Sequence, residues 1–130
     1  MPQGTIHWTE LNTHKPAEAA AFFKQTLGWE IDKMERGDLP PYRVGKVGDQ
    51  MVAGIFDLSE LYPESPDIPA HWITYFAVDD ADAKADEIVA NGGKIIRPPF
   101  DVPYVGRFII LHDNVGAVCG FIQPVSGDSQ

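Results

Sequence analysis

The residue with the clearest capacity for chemistry is Glu10, which lies in a segment suited to a buried strand. Side chains alternate between the two faces of a strand, so Trp8, Glu10 and Asn12 are predicted to share one face. Leu11 then faces the other way, toward a helix. A carboxylate in apolar surroundings can act as a general base or hold a hydroxyl or cationic group of a ligand. We therefore take Glu10 as the candidate catalytic residue, with a structural hydrogen bond to backbone or to Tyr75 as the alternative.

An internal duplication predicts how these residues are positioned. His7-Trp8 recurs as His71-Trp72, and Val52-Ala53-Gly54 recurs as Val118-Cys119-Gly120. Each half follows the pattern strand, helix, then three strands. We therefore expect the α+β class, with two tandem βαβββ modules that form paired curved sheets around a central cleft. Such a cleft is a typical place for a small-molecule site.

Turn and capping residues divide the chain into elements. Pro16 predicts the first turn of the first helix and Gly28 its end. Asp79 or Asp80 is expected to cap the second helix, Ala81–Ala90. The apolar stripe of the first helix is predicted to comprise Ala19, Phe22, Phe23 and Leu27. Predicted strands cover residues 5–13, 29–35, 42–47, 51–58, 72–78, 94–96, 107–112 and 117–123.

The domain organisation follows from these elements. The whole chain, 1–130, is expected to be one domain. Module one covers 1–58 and module two covers 71–124, while the proline-rich segment 59–70 is the predicted linker. The polar segment 125–130 is a predicted tail.

Further ligand-binding candidates come from the second half. Alternation directs Ile73 and Tyr75 into the cleft. Arg107 begins a strand near the mouth of the cleft and could bind a ligand carboxylate, although an ion pair with Asp101 or Asp113 is the favoured interpretation. The aromatic residues available to line a pocket are Trp8, Phe56, Trp72, Tyr75, Tyr104 and Phe108.

Three stretches of the chain resemble a known family. They read HWTELNTHKPAEAAAFFKQTLGWEI, YFAVDDADAKADEIVANGG and GRFIILHDNVGAVCGFIQP. These stretches resemble the vicinal oxygen chelate superfamily of glyoxalases, bleomycin-resistance proteins and extradiol dioxygenases, and within it a glyoxalase-like antigen-type subgroup. The resemblance implies the fold predicted above but leaves the activity open, because the superfamily includes several chemistries and some binding proteins.

The resemblance also implies where a metal would be bound. Metal-dependent members carry His or Glu ligands on the first, fourth, fifth and eighth strands. The matching positions are Trp8, Gly54, Ile73 (or Trp72) and Gly120, and none of these side chains can bind a metal. We therefore expect a protein that binds a small apolar or aromatic molecule without a cofactor. Glycine at positions 54 and 120 is expected to leave space that a planar ligand could fill.

Two alternatives remain open at this point. His7 and His71 would face the cleft if the strand register were slipped by one residue, and they would then support a metal-dependent lyase or dioxygenase with a divalent metal as cofactor. The favoured interpretation places both histidines at partly exposed strand edges. The other alternative is a non-catalytic interaction module that pairs through its edge strands as a homodimer.

Composition limits the classes of partner. The chain carries 10 Lys and Arg against 19 Asp and Glu, a net charge of −9, which argues against binding to nucleic acid or anionic lipid. It has no apolar run of membrane length and no recognisable signal peptide. Its one cysteine, Cys119, cannot form an internal disulfide and is expected to be a small buried residue. We therefore predict a cytoplasmic protein with a small-molecule ligand.

Overall fold

The computed structural model describes residues 2–102 and 105–125, which form eight strands and three helices. In chain order these are β1 (Ile6–Thr13), α1 (Pro16–Leu27), β2 (Glu30–Arg36), β3 (Leu39–Val47), β4 (Gln50–Asp57), α2 (Leu58–Leu61), β5 (His71–Ala77), α3 (Ala81–Ala90), β6 (Lys94–Val102), β7 (Gly106–His112) and β8 (Val118–Pro124). The α+β class and the two βαβββ repeats are therefore confirmed. No helix among the described residues is long and apolar enough to span a membrane.

The chain divides into two compact units. One is the continuous segment 8–73, which we call the inserted unit. The other, the outer unit, combines residues 2–7 with residues 74–102 and 105–125. Residues 2–7 join the outer unit through backbone bonds: the Gly4 N–H donates to the Ala77 carbonyl, and the Ala77 N–H donates to the Thr5 carbonyl, both at 2.8 Å.

In the inserted unit, helix α1 packs on one face of the sheet strands β2, β3, β4 and β1. Strand β1 runs parallel to β4, and the remaining neighbours are antiparallel. Leu11 and Ile55 pack against Ala20 of the helix, with Phe23 beside them. Leu11 therefore faces the helix as predicted, and the residues on either side of it in β1 face away.

The predicted apolar stripe of α1 is wrong in part. Ala19 and Phe23 pack against the core, but Phe22 and Leu27 are 59% and 60% exposed. The buried face is centred on Ala20 and Phe23, which are three residues apart and therefore lie on one side of a helix. Phe22 is two residues from Ala20, so it lies on the opposite side. The helix ends as predicted, because Gly28 adopts a left-handed conformation with φ 76°.

In the outer unit, helix α3 packs on the sheet strands β5, β8, β7 and β6. Its core contains Val78, Ile88, Ile109 and Leu111, and the partly buried Cys119 packs against it as predicted. Burial raises the pKa of the Cys119 thiol, which keeps it protonated and unreactive. Asp80, one of the two predicted caps, accepts a hydrogen bond from the Ala83 N–H at 3.2 Å.

The length of β6 and the presence of a helix in the linker differ from the prediction. Strand β6 extends over Lys94–Val102 although its prolines, Pro98 and Pro99, argue against a strand. It lies at the end of the strand order, and its register with β7 shifts between Arg97 and Phe100, so neither proline has to donate to the ladder. The short helix α2 lies in the predicted linker, where Asp57 accepts a hydrogen bond from the Ser59 N–H at 2.9 Å.

Candidate functional site

A chain of hydrogen bonds in the inserted unit ends at Glu10. This carboxylate is only 4% exposed. The Tyr42 hydroxyl donates to Glu10 Oε2 at 2.7 Å, and Trp8 Nε1–H donates to the Tyr42 hydroxyl oxygen at 3.0 Å. The Tyr42 hydroxyl therefore donates its single proton to the carboxylate and accepts the indole N–H through an oxygen lone pair. Tyr42 is thus a hydrogen-bond partner of Glu10. The predicted hydrogen bond between Glu10 and Tyr75 stays a prediction.

Strand register explains why these three side chains meet. Glu10 lies opposite Gly54, and Gly54 lies opposite Val44 on the next strand. Tyr42 is two residues from Val44 and therefore shares its face. A Cβ at position 54 would overlap the Tyr42 hydroxyl and lie 2.9 Å from Trp8 Nε1. Glycine is thus required at position 54 for the hydroxyl to reach Glu10.

The environment of Tyr42 keeps its phenol neutral. Burial is the largest cause that raises its pKa well above the ordinary value, and the negative charge of Glu10 raises it further. The hydrogen bond from Trp8 and the charge of Arg36 act in the opposite direction but are outweighed. At neutral pH, Tyr42 is therefore a fixed donor that holds Glu10 in one orientation.

Aromatic surface continues from Tyr42 to Phe56. Their ring centroids are 5.4 Å apart at an interplanar angle of 61°, an edge-to-face arrangement. The guanidinium of Arg36 lies 5.2 Å from the Phe56 ring centroid. Arg36 Nη1 also donates to both carboxylate oxygens of Glu60, at 2.9 and 3.0 Å. The ion pair therefore anchors one side of the aromatic surface, in which Trp8 and Tyr42 are each half-buried.

Asn12 lies on the same face of β1, two residues from Glu10 and opposite Phe56. Its side chain is fully buried, with 0% exposure. Neither its Oδ1 nor its Nδ2 atom has a hydrogen-bond partner among residues 2–102 and 105–125. A buried amide without partners is rare in folded proteins, because its desolvation is not compensated.

The corresponding face of the outer unit carries a cluster of aromatic rings. Tyr75 lies opposite Gly120, so Tyr75 is the counterpart of Glu10, which lies opposite Gly54. The Tyr75 ring packs edge-to-face on Phe108 at 4.9 Å, and Phe108 stacks on Phe100 at 5.7 Å. A Cβ at position 120 would overlap the Tyr75 ring. The repeat thus places a carboxylate in one unit and a phenol in the other.

The prediction of open space above the two glycines is wrong. The Tyr42 hydroxyl fills the space above Gly54, and the Tyr75 ring fills the space above Gly120. The reason is that each glycine lies beside a strand that carries a long aromatic side chain on the same face. The space above each glycine is therefore occupied by a side chain of its own unit.

Other predicted site residues lie apart from the Glu10 cluster. Ile73 is buried with 1% exposure, and its carbonyl accepts a hydrogen bond from Thr9 Oγ1 at 3.4 Å. Trp72 is 45% exposed and packs edge-to-face on Phe23 at 5.6 Å. Tyr104 lies outside the described residues.

Arg107 is held by two carboxylates of the outer unit. It pairs with Asp82 and with Asp101, each at 3.0 Å, so the predicted pair with Asp101 is confirmed. The predicted pair with Asp113 is wrong, because that carboxylate accepts the backbone N–H groups of Val115 and Ala117. These bonds also lower the pKa of Asp113. The role of Arg107 in binding a ligand carboxylate stays a prediction, and the ligand would share the guanidinium with Asp82 and Asp101.

The residues present do not fit a metal site. Residues 2–102 and 105–125 contain no group of three or more His, Cys, Asp or Glu side chains placed to hold an ion. Of the two candidate histidines, His71 directs Nδ1 to the Pro69 carbonyl at 2.9 Å, and His7 belongs to the other unit. In the inserted unit, the Tyr42 hydroxyl lies between Trp8 and Gly54, two positions that the family resemblance assigns to ligands.

Sequence reasoning missed Tyr42, Arg36 and Glu60. Tyr42 was within a predicted strand, but its pairing with Glu10 depends on the register between β3 and β4. The available signal was Gly54, since a strand glycine often marks close approach by another group. Arg36 and Glu60 are separated by β3 and β4 in sequence, and no local pattern links them.

Comparison with known proteins identifies the family. The model of the Glyoxalase/Bleomycin resistance protein/Dioxygenase superfamily matches residues 5–120. The chain belongs to this superfamily. It is 44% identical over 121 residues to the "Putative glyoxylase CFP32" of Mycobacterium bovis, covering 93% of this chain and 44% of that protein. It is 29% identical to the anthracycline biosynthesis protein DnrV of Streptomyces peucetius, covering 88% of this chain and 45% of that protein.

The chain therefore spans less than half the length of these two superfamily relatives. Among solved structures, a methylmalonyl-CoA epimerase of Streptomyces coelicolor matches with a TM-score of 0.63 and 15% identity. The match covers 96% of this chain and 100% of that chain. At this level of identity the likeness establishes the shared fold and nothing about the reaction.

Proposed function

We propose that this member of the superfamily binds a small molecule with an aromatic or largely apolar body, and that it does so without a catalytic metal. The observation that carries the proposal is the Trp8–Tyr42–Glu10 hydrogen-bonded chain. Trp8 stands at a position that the family resemblance assigns to a metal ligand, and the phenol of Tyr42 fills the space above Gly54. The name of the relative DnrV supports this ligand class, since anthracyclines are planar polycyclic aromatics.

The residues of the cluster have separate parts in binding. The half-buried rings of Trp8 and Tyr42, with Phe56 beside them, provide a surface for a planar ring. Glu10 accepts a hydrogen bond from a hydroxyl or N–H of the ligand, since a carboxylate can accept several hydrogen bonds at once. Tyr42 fixes the orientation of that carboxylate. The same carboxylate could take up a proton from an acidic ligand group.

Tryptophan fluorescence tests the proposal with two matched probes. 2-Naphthol has a hydroxyl that Glu10 can accept, and 2-methoxynaphthalene lacks that donor. We expect saturable quenching by both probes and about tenfold tighter binding of 2-naphthol, which Glu10→Gln should largely remove. Trp8→Phe should abolish most of the quenching, whereas Trp72→Phe, which removes an indole packed on Phe23, should not. Absence of saturable quenching by either probe would refute the proposal.

A further inference from the structure

We infer that the buried amide of Asn12 determines ligand specificity and pairs with a cis-amide group, such as a lactam, in which an N–H and a C=O are neighbours. The inference rests on the proposed function and adds the polar group that the ligand carries. Its starting point is the pair of amide atoms without described partners in a side chain with 0% exposure.

Packing alone does not explain an asparagine at this position. A leucine has nearly the same shape and would bury carbon where Asn12 buries two polar atoms. A buried amide without partners destabilises a fold, whereas an apolar group of the same shape does not. An amide at this position is therefore explained by a group that pairs with it during function.

The position of Asn12 connects it to the proposed binding surface. It lies opposite Phe56 on β4, and Phe56 packs against Tyr42 at 5.4 Å. Glu10 is two residues away on the same face of β1. A ligand that stacks on the aromatic rings therefore has one carboxylate and one amide within the same face of the sheet.

The geometry of an amide selects its partner. The side chain presents an acceptor oxygen and a donor NH₂ in one plane, on neighbouring atoms. A cis-amide complements both at once, because its N–H donates to Oδ1 while its carbonyl accepts from Nδ2. A lactam fused to an aromatic ring adds the planar body that Trp8 and Tyr42 favour. Asn12 is covered by its neighbours, so binding includes movement of a side chain. Tyr42 is only half-buried, unlike Asn12.

Isothermal titration calorimetry with two probes tests the inference. 2-Quinolone carries the cis-amide, and N-methyl-2-quinolone has the same ring without the donor. For the wild-type chain we expect 2-quinolone to bind at least about tenfold tighter. Asn12→Leu should remove this preference and leave the affinity for N-methyl-2-quinolone within about twofold. Asn114→Leu, the same change in an exposed turn, is the matched control and should keep the preference.

The outcomes separate this inference from the proposed function. Equal binding of the two quinolones to the wild-type chain, or a preference that survives Asn12→Leu, overturns the role of Asn12 but leaves aromatic binding intact. Binding of neither quinolone and neither naphthalene overturns both. A melting temperature that falls in Asn12→Leu would show that the amide is satisfied within the folded protein, by a buried water for example, and would also overturn the inference.

Discussion

Removal of the Tyr42 hydroxyl is the most direct perturbation of the site. Tyr42→Phe deletes a hydrogen bond of 2.7 Å to the buried Glu10 carboxylate and one of 3.0 Å from Trp8. A hydrogen bond to a charged group contributes about 1.5–3 kcal/mol and a neutral one about 0.5–1.5 kcal/mol. Trp8 is half-buried, so its N–H can recover part of its loss from water. We therefore expect a decrease of about 2–3 kcal/mol in the free energy of unfolding.

Urea denaturation followed by circular dichroism measures this change. For a domain of this length, the expected decrease corresponds to a fall in melting temperature of roughly 7–11 °C. A double-mutant cycle with Glu10→Gln isolates the pair, and we expect a coupling energy of about 1–2 kcal/mol. Tyr42→Phe combined with Glu30→Gln, an exposed carboxylate on β2, is the matched control and should give no coupling.

The reasoning would be refuted by a small effect. If Tyr42→Phe stays within about 0.5 kcal/mol of the wild type and the coupling to Glu10 is no larger, the hydrogen bond contributes nothing to the folded state.

Three further predictions concern the same chain. Because the folded-state pKa of Tyr42 is raised, its contribution to stability should be fully present below about pH 10 and be lost as pH rises further, so that the wild type loses more stability than Tyr42→Phe above about pH 10; a titration followed at 295 nm with denaturation at each pH would check this. Gly54→Ala should destabilise the fold by about 2–4 kcal/mol in urea denaturation, and Tyr42→Ala in the same chain should relieve part of that loss. Titration with Mg²⁺, Mn²⁺ or Zn²⁺ should give no saturable, stoichiometric shift in melting temperature, and such a shift would contradict the mismatch between these residues and a metal site.

The fold was predictable because its signals are local and repeated. Alternation in β1 correctly placed Leu11 under α1 and Glu10 on the opposite face. Pro16 and Gly28 correctly marked the ends of α1. Each of these signals depends on a few neighbouring residues and on the period of one element. The face of α1 was harder to predict, because Ala20 is a weaker apolar signal than the exposed Phe22.

The site was less predictable because it depends on contacts between strands. Glu10 was identified from its type and its face, but the partner Tyr42 is set by the register of β3 on β4. Glycine at position 54 was taken to mean open space, whereas a neighbouring strand fills that space. A glycine in a strand indicates that another group approaches closely, but the sequence of that strand does not show which group fills the space.

The division of the chain into a continuous and a discontinuous unit has a consequence for its synthesis. The ribosome completes residues 8–73 as one stretch, so the inserted unit can begin to fold while the outer unit is still largely unmade. Gly4 and Thr5, in contrast, have to wait for Ala77 before they can form their backbone bonds. Their pairing closes a long loop, which is an entropically costly and therefore late event. In a released chain truncated after residue 76, residues 8–73 should thus resist proteolysis, while the first residues should stay open to cleavage.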